Sequence, residues 1–581
     1  MELLILDFET AWDNEYSLAK MPTMQYIRDP RFRVLGCGFQ RLSTPQSAPF
    51  FVEGEEEVAK IIPQLPWEFI AAIAHNAQFD GVILSEHYGV RPAWWFDTQL
   101  LARWAIAQGH LPPDQTVSLA ALASVVGMEK GDTKRATDTG GGVLVDYGIN
   151  DIRITAELFR FLMEFKPPLE ELHYIDLHIR MATEPMLALD KPLLEKTATQ
   201  TEEQAEVHRL LRKDANFKQI LERLGVEIEY KTTPIGRTKP AFAKTDTFMQ
   251  SLLESDDYDV ARYAELRLSA QSNILRTRAQ RFLDVGEPFP VPLLYHAAHT
   301  GRSGGADKLN LQNLPAKGPL RQSLMAPEGY RLVVGDSSQV EARVVGWLAN
   351  DEALLETFKA SDPYREFGGK YLYQCSPESL TTEQRKVAKS AVLGLGFGQG
   401  VNGFMAYCTR QRISVTREEA ETAVNAYRQG FSKVPLLWRK LETQVETTGA
   451  IELPSGRTLY YPGLSKDEDG DLFYYRHKIF SKARKGERQK VKVWGGFLAE
   501  NATQATARDL VFWQALQFRK ENPQWKIVLL VHDEVVVLAR EQDIEYAGER
   551  LLFWLRQVPD WGEGLPVDGE VKIGVRYSDC K

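Results

Sequence analysis

From residue 1 to about residue 165, short apolar runs rich in β-branched and aromatic side chains (LLILDF, FRVLGCGF, FIAAIAHN) alternate with stretches of helical periodicity. This pattern predicts an α/β domain that ends near Pro167-Pro168. Residues 169–285 instead carry long charged amphipathic stretches, EEQAEVHRLLRKD among them, with few strand signals. They predict a helical segment that closes at the GEPFPVP run of residues 286–292. Beyond it, the strand-like RLVVGD is followed by a series of helices between Val340 and Arg439, then by the hairpin-like IVLLVHDEVVVL and a β-rich end. Helices interrupting a β-rich region predict a catalytic part that is discontinuous in sequence. No internal repeat is visible.

Composition narrows the classes. A chain of 581 residues has room for about four domains. With 44% hydrophobic and 26% charged residues it is neither disordered nor fibrous. The formal charge of −9 speaks against a generally basic nucleic-acid coat but not against a basic cleft inside an acidic shell. Cys37, Cys375, Cys408 and Cys580 are widely spaced, so neither a disulfide framework nor a zinc finger is expected. The N-terminus lacks the pattern of a signal peptide and no apolar run reaches membrane-spanning length, which points to a cytoplasmic protein with no membrane partner. There is no GxxxxGK[ST] phosphate loop, and GLGFGQG at residues 394–400 lacks GxGxxG spacing, so ATPase and dehydrogenase readings fall. The acidic stretch at residues 467–471 has its glycine out of place for a calcium loop and reads as solvated.

Asp7 and Glu9 end the strand-like LLILDFE, and side chains two apart on a strand share a face. Asp80 follows the apolar FIAAIA, and Tyr147 and Asp151 in YGIND are neighbours on one helical face. Four acids and a tyrosine in this order suggest a two-metal site. Phosphodiester hydrolysis needs an activated water and stabilisation of a highly negative transition state, which two Mg²⁺ ions about 4 Å apart provide, and hard cations need carboxylate oxygens. Asp7, Glu9, Asp80 and Asp151 would hold the ions and Tyr147 would orient the water.

A second acidic set lies downstream. Asp336 sits at a strand-to-helix turn after YRLVV, and His532-Asp533-Glu534 forms the tip of the hairpin between IVLLV and VVVL. If the two tips meet they make another carboxylate pair for two Mg²⁺. Between them, Arg385, Lys389, Leu393 and Phe397 are spaced by four, a helical stripe with two cations at one end and two apolar groups at the other, suited to a triphosphate and a base. A solvated amphipathic face is the plainer alternative. Gly394, Gly396 and Gly398 would cost a helix interior about 1 kcal/mol each, which implies either a close approach to the backbone or a helix that ends there.

Taken in order, Thr300-Gly301-Arg302, Asn310-Leu311-Gln312-Asn313-Leu314-Pro315, APEGYRLVVGDSSQVEAR, the Arg385-to-Lys389 helix, Gln504-Ala505-Thr506-Ala507-Arg508-Asp509 and VHDE closely resemble the family A DNA polymerases of the bacterial polymerase I and phage replicative class. The D-x-E, N-x-x-F-D and Y-x-x-x-D series of the first 165 or so residues resembles their proofreading 3′–5′ exonuclease. The resemblance implies an α/β and α+β multidomain chain, with a ribonuclease H-like exonuclease domain at residues 1–168 followed by a right-hand polymerase. Thumb and linker would occupy 169–295, palm 296–350 and 490–581, and fingers 351–489. It leaves no region for the 5′-nuclease domain of many bacterial members.

Carried over, Asp336 and Asp533 would be the metal ligands with Glu534 beside them, Mg²⁺ the cofactor (two ions per active site) and Mn²⁺ an acceptable substitute. Arg385 and Lys389 would bind the incoming dNTP, with Leu393, Phe397 and Tyr364 around it, and Glu341 would be the steric gate against a 2′-hydroxyl. Arg302 and Gln504 would read minor-groove acceptors of the primer-template, with Gln312, Asn313 and His532 also at the DNA. The basic run at residues 482–492 reads equally as a grip on phosphates or as a solvated charge run. Asp97 fits a recurring exonuclease position, with a helix N-cap as its plainer reading. A processivity factor, helicase or single-strand-binding protein would be further partners, in phage DNA replication within a bacterial cytoplasm. This sequence departs from the family at Ser337 and Leu393, where aromatic residues are usual, at Phe397, usually tyrosine, and at Tyr364, often histidine. Without a hydroxyl at 397, Glu341 must be held otherwise and sugar discrimination is expected to weaken. Leu393 implies poor use of dideoxynucleotides. A single-subunit RNA polymerase and a catalytically dead DNA-binding or processivity relative are the alternatives, disfavoured by Glu341 and by the retained acids respectively.

Overall fold

Two sheets organise most of the chain. The computed structural model describes residues 1–580 except 44–46, 135–139, 200–201, 233–236, 244–245, 254, 256, 272 and 478–487. Its contacts divide into two compact units, Met1–Leu187 with Pro290–Asn313 and Ala326–Lys581, and Ala188–Phe289 with Leu314–Met325.

In the larger unit, β1 (Glu2–Thr10), β2 (Val34–Arg41), β3 (Phe50–Glu53), β4 (Ile70–Ala74) and β5 (Trp94–Asp97) form a sheet of order β3-β2-β1-β4-β5. β1, β4 and β5 run parallel, and β2 and β3 complete the other side by antiparallel pairing. Leu4, Ile5 and Leu6 and the whole of β4 are buried, as expected of unbroken apolar strands covered on both faces. Around the sheet lie α1 (Ala77–Val82), α2 (Thr98–Ala107), α3 (Gly141–Glu164), which packs across β1, β2 and β3, and α4 (Leu169–Thr183), which packs on α1 and β5. The α/β architecture expected of this region is present.

The second sheet uses β6 (Tyr330–Ser337) and three strands from the far end of the chain, β7 (Lys526–Val531), β8 (Glu534–Arg540) and β9 (Gly569–Gly574), in the antiparallel order β7-β8-β6-β9. Between them come α5 (Val340–Ala349), α6 (Thr382–Gly394), α7 (Arg417–Gly430), α8 (Lys433–Thr448) and α9 (Gly495–Glu521). Buried residues occupy every face of α9, which makes it an interior helix. Phe367, Ala388, Tyr427, Phe431, Val445 and Leu498 form the core of the intervening helices.

The glycine cluster has a local explanation. α6 ends at Gly394, a single tight turn spans Leu395–Phe397, and Gly398 has φ +74°. A Cβ on Gly496 would lie 2.3 Å from the Phe397 carbonyl oxygen and 2.8 Å from the Gly398 Cα. The close approach is made by the start of α9, so Phe397 lies just beyond α6 instead of on its stripe.

The smaller unit is mainly helical, as the charge pattern predicts. Among its helices, Asp214–Arg223, Thr247–Leu253 and Tyr258–Gln271 enclose Phe217, Phe242, Phe248 and Met249. Arg267 is buried there against Asp214 and the Phe217 ring. Two-residue strands at Ala188–Leu189 and Leu324–Met325 join the chain's return pass to this unit. Its boundaries thus fall at 187/188 and 289/290, where the sequence reading placed 168/169 and 295/296, and residues 169–187 belong to the larger unit.

Candidate active sites

The first site grows from β1. Strand alternation puts Asp7 and Glu9 on one face, and α3, lying across that face, brings Asp151 to them. One carboxylate oxygen from each of the three lies within 4.8 Å of the others. Asp151 Oδ1 is buried without a hydrogen-bond partner, an acceptor held ready for a cation. Asp80, on α1, stands one step aside, almost wholly buried and accepting from the Phe8 N–H at 3.0 Å.

Burial pushes all four acids upward. Asp7 rises to about 7, through burial and then the Asp151 charge. Glu9 rises well above the usual range through burial and then Asp7, and Asp80 does the same for the same two reasons. Asp151 is raised by burial against the opposing pull of Lys130. This donor set fits divalent cations, whose charge would remove the repulsion. Lys130, missed in the sequence because it lies in an aperiodic loop, pairs with Asp151 and stands 4.8 Å over the Tyr147 ring. Tyr147 is buried, and its hydroxyl lies 2.7 Å from Thr133 Oγ1. Asp97 caps α2, taking the Gln99 and Leu100 N–H groups at 2.7 and 3.2 Å and also those of Asn76 and Ala77. Its carboxylate is thereby engaged by four backbone donors, as the N-cap reading expects.

The second site lies where β6 ends. Asp336 pairs in register with Glu534 on β8 and with Glu570 on β9. The Ser337 N–H donates to the Asp533 carbonyl at 3.0 Å, which joins the strand end to the hairpin tip. His532, at φ +53°, makes the turn that presents Asp533. Burial raises the Asp533 carboxyl. Glu534 is buried and accepts from the Tyr577 hydroxyl at 2.5 Å, so its oxygen is engaged within the fold.

Tyr364 is the hub of the cationic stripe. The Arg385 guanidinium lies 5.3 Å and the Lys389 ammonium 5.5 Å from its ring centre, and Arg385 Nε donates to Asp362 at 2.6 Å. A capping box, Thr381 with Gln384, starts α6 so that both cations share this face. Leu393 and Phe397 pack, half-buried, on the core of the helices. Glu341, on the first turn of α5, is held by Arg302. Gln504 donates to Glu500 at 3.2 Å, and Glu500 is raised by burial and then by the Glu341 charge. Glu500 was missed, although its spacing of four from Gln504 on a helix was readable. Arg302, Gln312 and His532 line one small cleft, and Asn313 is exposed. His532 is lowered by burial and then by Arg302. Of the basic run, residues 482–487 lie outside the described residues, and Lys490 and Lys492 pair with Asp467 and Asp471.

A buried network braces the loop carrying Arg302. Arg457 donates to the Thr300 carbonyl at 3.1 Å and to Asp509, and Arg508 donates to the Gly301 carbonyl at 3.3 Å and to Glu171.

Residues 291–579 match the family model for DNA polymerase family A. The thermostable DNA polymerase I of Thermus filiformis is 27% identical over 416 residues, 67% of this chain and 45% of that protein. The DNA polymerase of Bacillus phage SP02 is 28% identical over 278 residues, 43% of this chain and 42% of that protein. The DNA polymerase I of Aquifex aeolicus is 22% identical over 514 residues, 82% of this chain and 83% of that protein. The chain thus spans less than half the length of the first two of these relatives. The solved POL domain of Pol1 from M. smegmatis, in complex with DNA primer-template and dNTP, shares the fold at a TM-score of 0.67 and 18% identity, over 99% of this chain and 95% of that one.

Proposed function

The chain belongs to DNA polymerase family A through residues 291–579, and from that premise we propose that it extends a primer 3′-hydroxyl with dNTPs on a DNA template and proofreads with an N-terminal 3′–5′ exonuclease. The observation that carries the polymerase reading is the Ser337-to-Asp533 backbone bond, which puts Asp336 and Asp533 at one end of one sheet. The convergence of Asp7, Glu9 and Asp151 supports the exonuclease, as does the β3-β2-β1-β4-β5 order, which suits a ribonuclease H-like domain.

In this reading Asp336 and Asp533 hold two Mg²⁺, which when bound supply the charge that stabilises attacking and leaving oxygens. Arg385 and Lys389 neutralise the triphosphate, and Tyr364 keeps the two cations parallel while no nucleotide is present. Glu341 occupies the space of a 2′-hydroxyl. Arg302 and Gln504 take minor-groove acceptors, which differ little between base pairs and so report pair shape. Asn313, Gln312 and His532 face the same DNA, and Glu534 braces the hairpin from below. At the other site, Asp7, Glu9, Asp80 and Asp151 hold the ions, Tyr147 orients the attacking water, and Lys130 yields its place beside Asp151.

The smaller unit, Ala188–Phe289 with its returning segment, is the thumb in this reading, and residues 351–489 are the fingers. Similarity to a phage polymerase supports a role in phage replication, with accessory replication proteins as partners. Among the described residues no helix is long and apolar enough to cross a membrane.

Incubating the protein with a mismatched primer on a defined template tests both activities. With Mg²⁺ and dNTPs the primer should be trimmed and then extended. DNA binding without extension would favour the inactive relative, and extension only by ribonucleotides the RNA polymerase.

A further inference from the structure

Within the larger unit, a cavity of about 950 Å³ lies away from both acidic centres. Its walls come from the C-terminal part of α2 and the turn after it, the segment containing His296 and His299, the end of α8, and the residues around Tyr461 and Tyr474. Gln108 joins two of these walls, donating to the Thr458 carbonyl at 3.5 Å and accepting from the Thr458 N–H at 3.1 Å.

The lining is not that of an apolar void. His296 is 6% exposed and Tyr474 2%, yet neither ring nitrogen of His296 and not the Tyr474 hydroxyl has a hydrogen-bond partner, nor does His299 Nε2. Buried polar atoms in such a state are normally satisfied by water or a ligand. Burial and then Arg476 and Arg457 lower His299 to about 4, so near neutrality its ring is uncharged and offers both a donor and an acceptor. Flat rings are gathered beside these atoms. His299 lies 5.0 Å from Tyr461 and 5.9 Å from Tyr474, and Tyr461 lies 5.3 Å from Tyr474. Tyr460 and Tyr475, each 40% exposed, also line the cavity and carry the aromatic surface outward. Arg103 and Arg476 bring positive charge, and the cavity's acid, Glu446, is already paired with Lys466.

We infer that this cavity receives an unpaired base of a single DNA strand, stacking it on the tyrosines, reading its edge with His296, His299 and Tyr474, and drawing its phosphates to Arg103 and Arg476. Duplex DNA hides the faces and the Watson–Crick edges of its bases, so only an unpaired base can stack within this lining. A strand suits it better than a free nucleotide, because the exposed tyrosines continue the stacking surface beyond one base. His299 directly precedes Thr300-Gly301-Arg302, so an occupied cavity bears on the loop that carries Arg302. The inference rests on the reading that the chain works on DNA.

The test uses the full chain and a fluorescein-labelled oligothymidylate, with binding read by anisotropy. Tyr460→Ala combined with Tyr475→Ala, both exposed and so tolerable to the fold, should weaken binding about tenfold, and Tyr474→Phe should weaken it to a lesser extent. A strand containing 4-thiothymidine should crosslink within residues 460–476. Unchanged affinity in the double variant, crosslinks confined to other segments, or displacement of the strand by thymidine monophosphate at equal nucleotide concentration would each overturn the inference. Primer extension and mismatch removal are measured on the same preparations. Wild-type protein that extends primers while the variants bind like wild type sinks this inference alone. Wild-type protein that binds the strand through residues 460–476 but neither extends nor trims sinks the polymerase reading and leaves the cavity assignment standing.

Discussion

Glu341 shows how one missing atom shifts the work of its neighbours. The family resemblance assigns position 397 a tyrosine whose hydroxyl holds the gate glutamate, and this chain has Phe397 there. Arg302 holds Glu341 instead, on a partly exposed pair of side chains, so the residue proposed to read the minor groove also anchors the gate. In the proposed reading, Arg302 turning to DNA would leave Glu341 without this anchor. Ribonucleotide incorporation should therefore be measurable in the wild type, and Phe397→Tyr should reduce it severalfold by supplying a second hold. Single-nucleotide insertion ratios for dNTP and rNTP check this, and an unchanged ratio refutes the account. Leu393→Tyr addresses a neighbouring departure and should raise dideoxynucleotide use, read as chain termination at equimolar dideoxy and deoxy substrate.

Between elements, the junction of α6 and α9 is the least forgiving contact. Phe397, Gly398 and Gly496 pack backbone against backbone, and a Cβ at Gly496 would meet the Phe397 carbonyl oxygen at 2.3 Å. Neither side is a flexible side-chain end, so relief must come from moving a helix. Gly496→Ala should cost about 1–3 kcal/mol or more of stability and lower primer extension while mismatch removal persists. A variant with wild-type melting temperature and extension rate would exclude the rigid junction. The three glycines were legible as an anomaly in a helical pattern, but not their partner, because α9 begins almost a hundred residues later in the chain.

Across the larger unit, α4 acts as a strut between the two sheets. Its Asp176 accepts from the Trp95 N–H on β5 at 3.0 Å and from Arg519 on α9 at 2.6 Å, and its Glu171 pairs with Arg508 deep in the interior. Burial opposes the charge of Glu171, but Arg508 outweighs it and holds the carboxyl far below the ordinary value of 4.5. A depressed acid stabilises the fold fully above its unfolded value, and that stability is lost as pH falls below about 4.5. Glu171→Gln should cost about 3–5 kcal/mol at neutral pH and flatten the dependence of stability on pH in the acid range, as urea unfolding at pH 7 and pH 4 would reveal. An acid limb as steep as that of the wild type would remove Glu171 from the account. At the same scale, the two acidic centres lie on different sheets, so Asp336→Ala should abolish extension and spare trimming, and Asp7→Ala should do the reverse. Loss of both activities by either change would break the two-site reading.

Relations that depend on spacing along the chain were legible before any folding was considered. Alternation put Asp7 and Glu9 on one face of β1, helical spacing put Arg385 beside Lys389, and the apolar runs flanking His532-Asp533-Glu534 made a hairpin with acids at its tip. Those relations are set by the two periodicities of regular backbone and survive any tertiary arrangement. What depends on distant segments meeting came from the folded chain alone: Lys130 among the carboxylates gathered on β1 and α3, Arg302 on Glu341, Tyr364 between two cations, and Glu534 turned to Tyr577. The helix at residues 169–183 carries the same amphipathic signal as those after it, and only packing assigned it to the larger unit. The cavity of His296, Tyr461 and Tyr474 was the least legible of all, since no periodicity links residues some 180 positions apart and nothing but closure of the fold leaves the His296 ring nitrogens and the Tyr474 hydroxyl buried and unpaired.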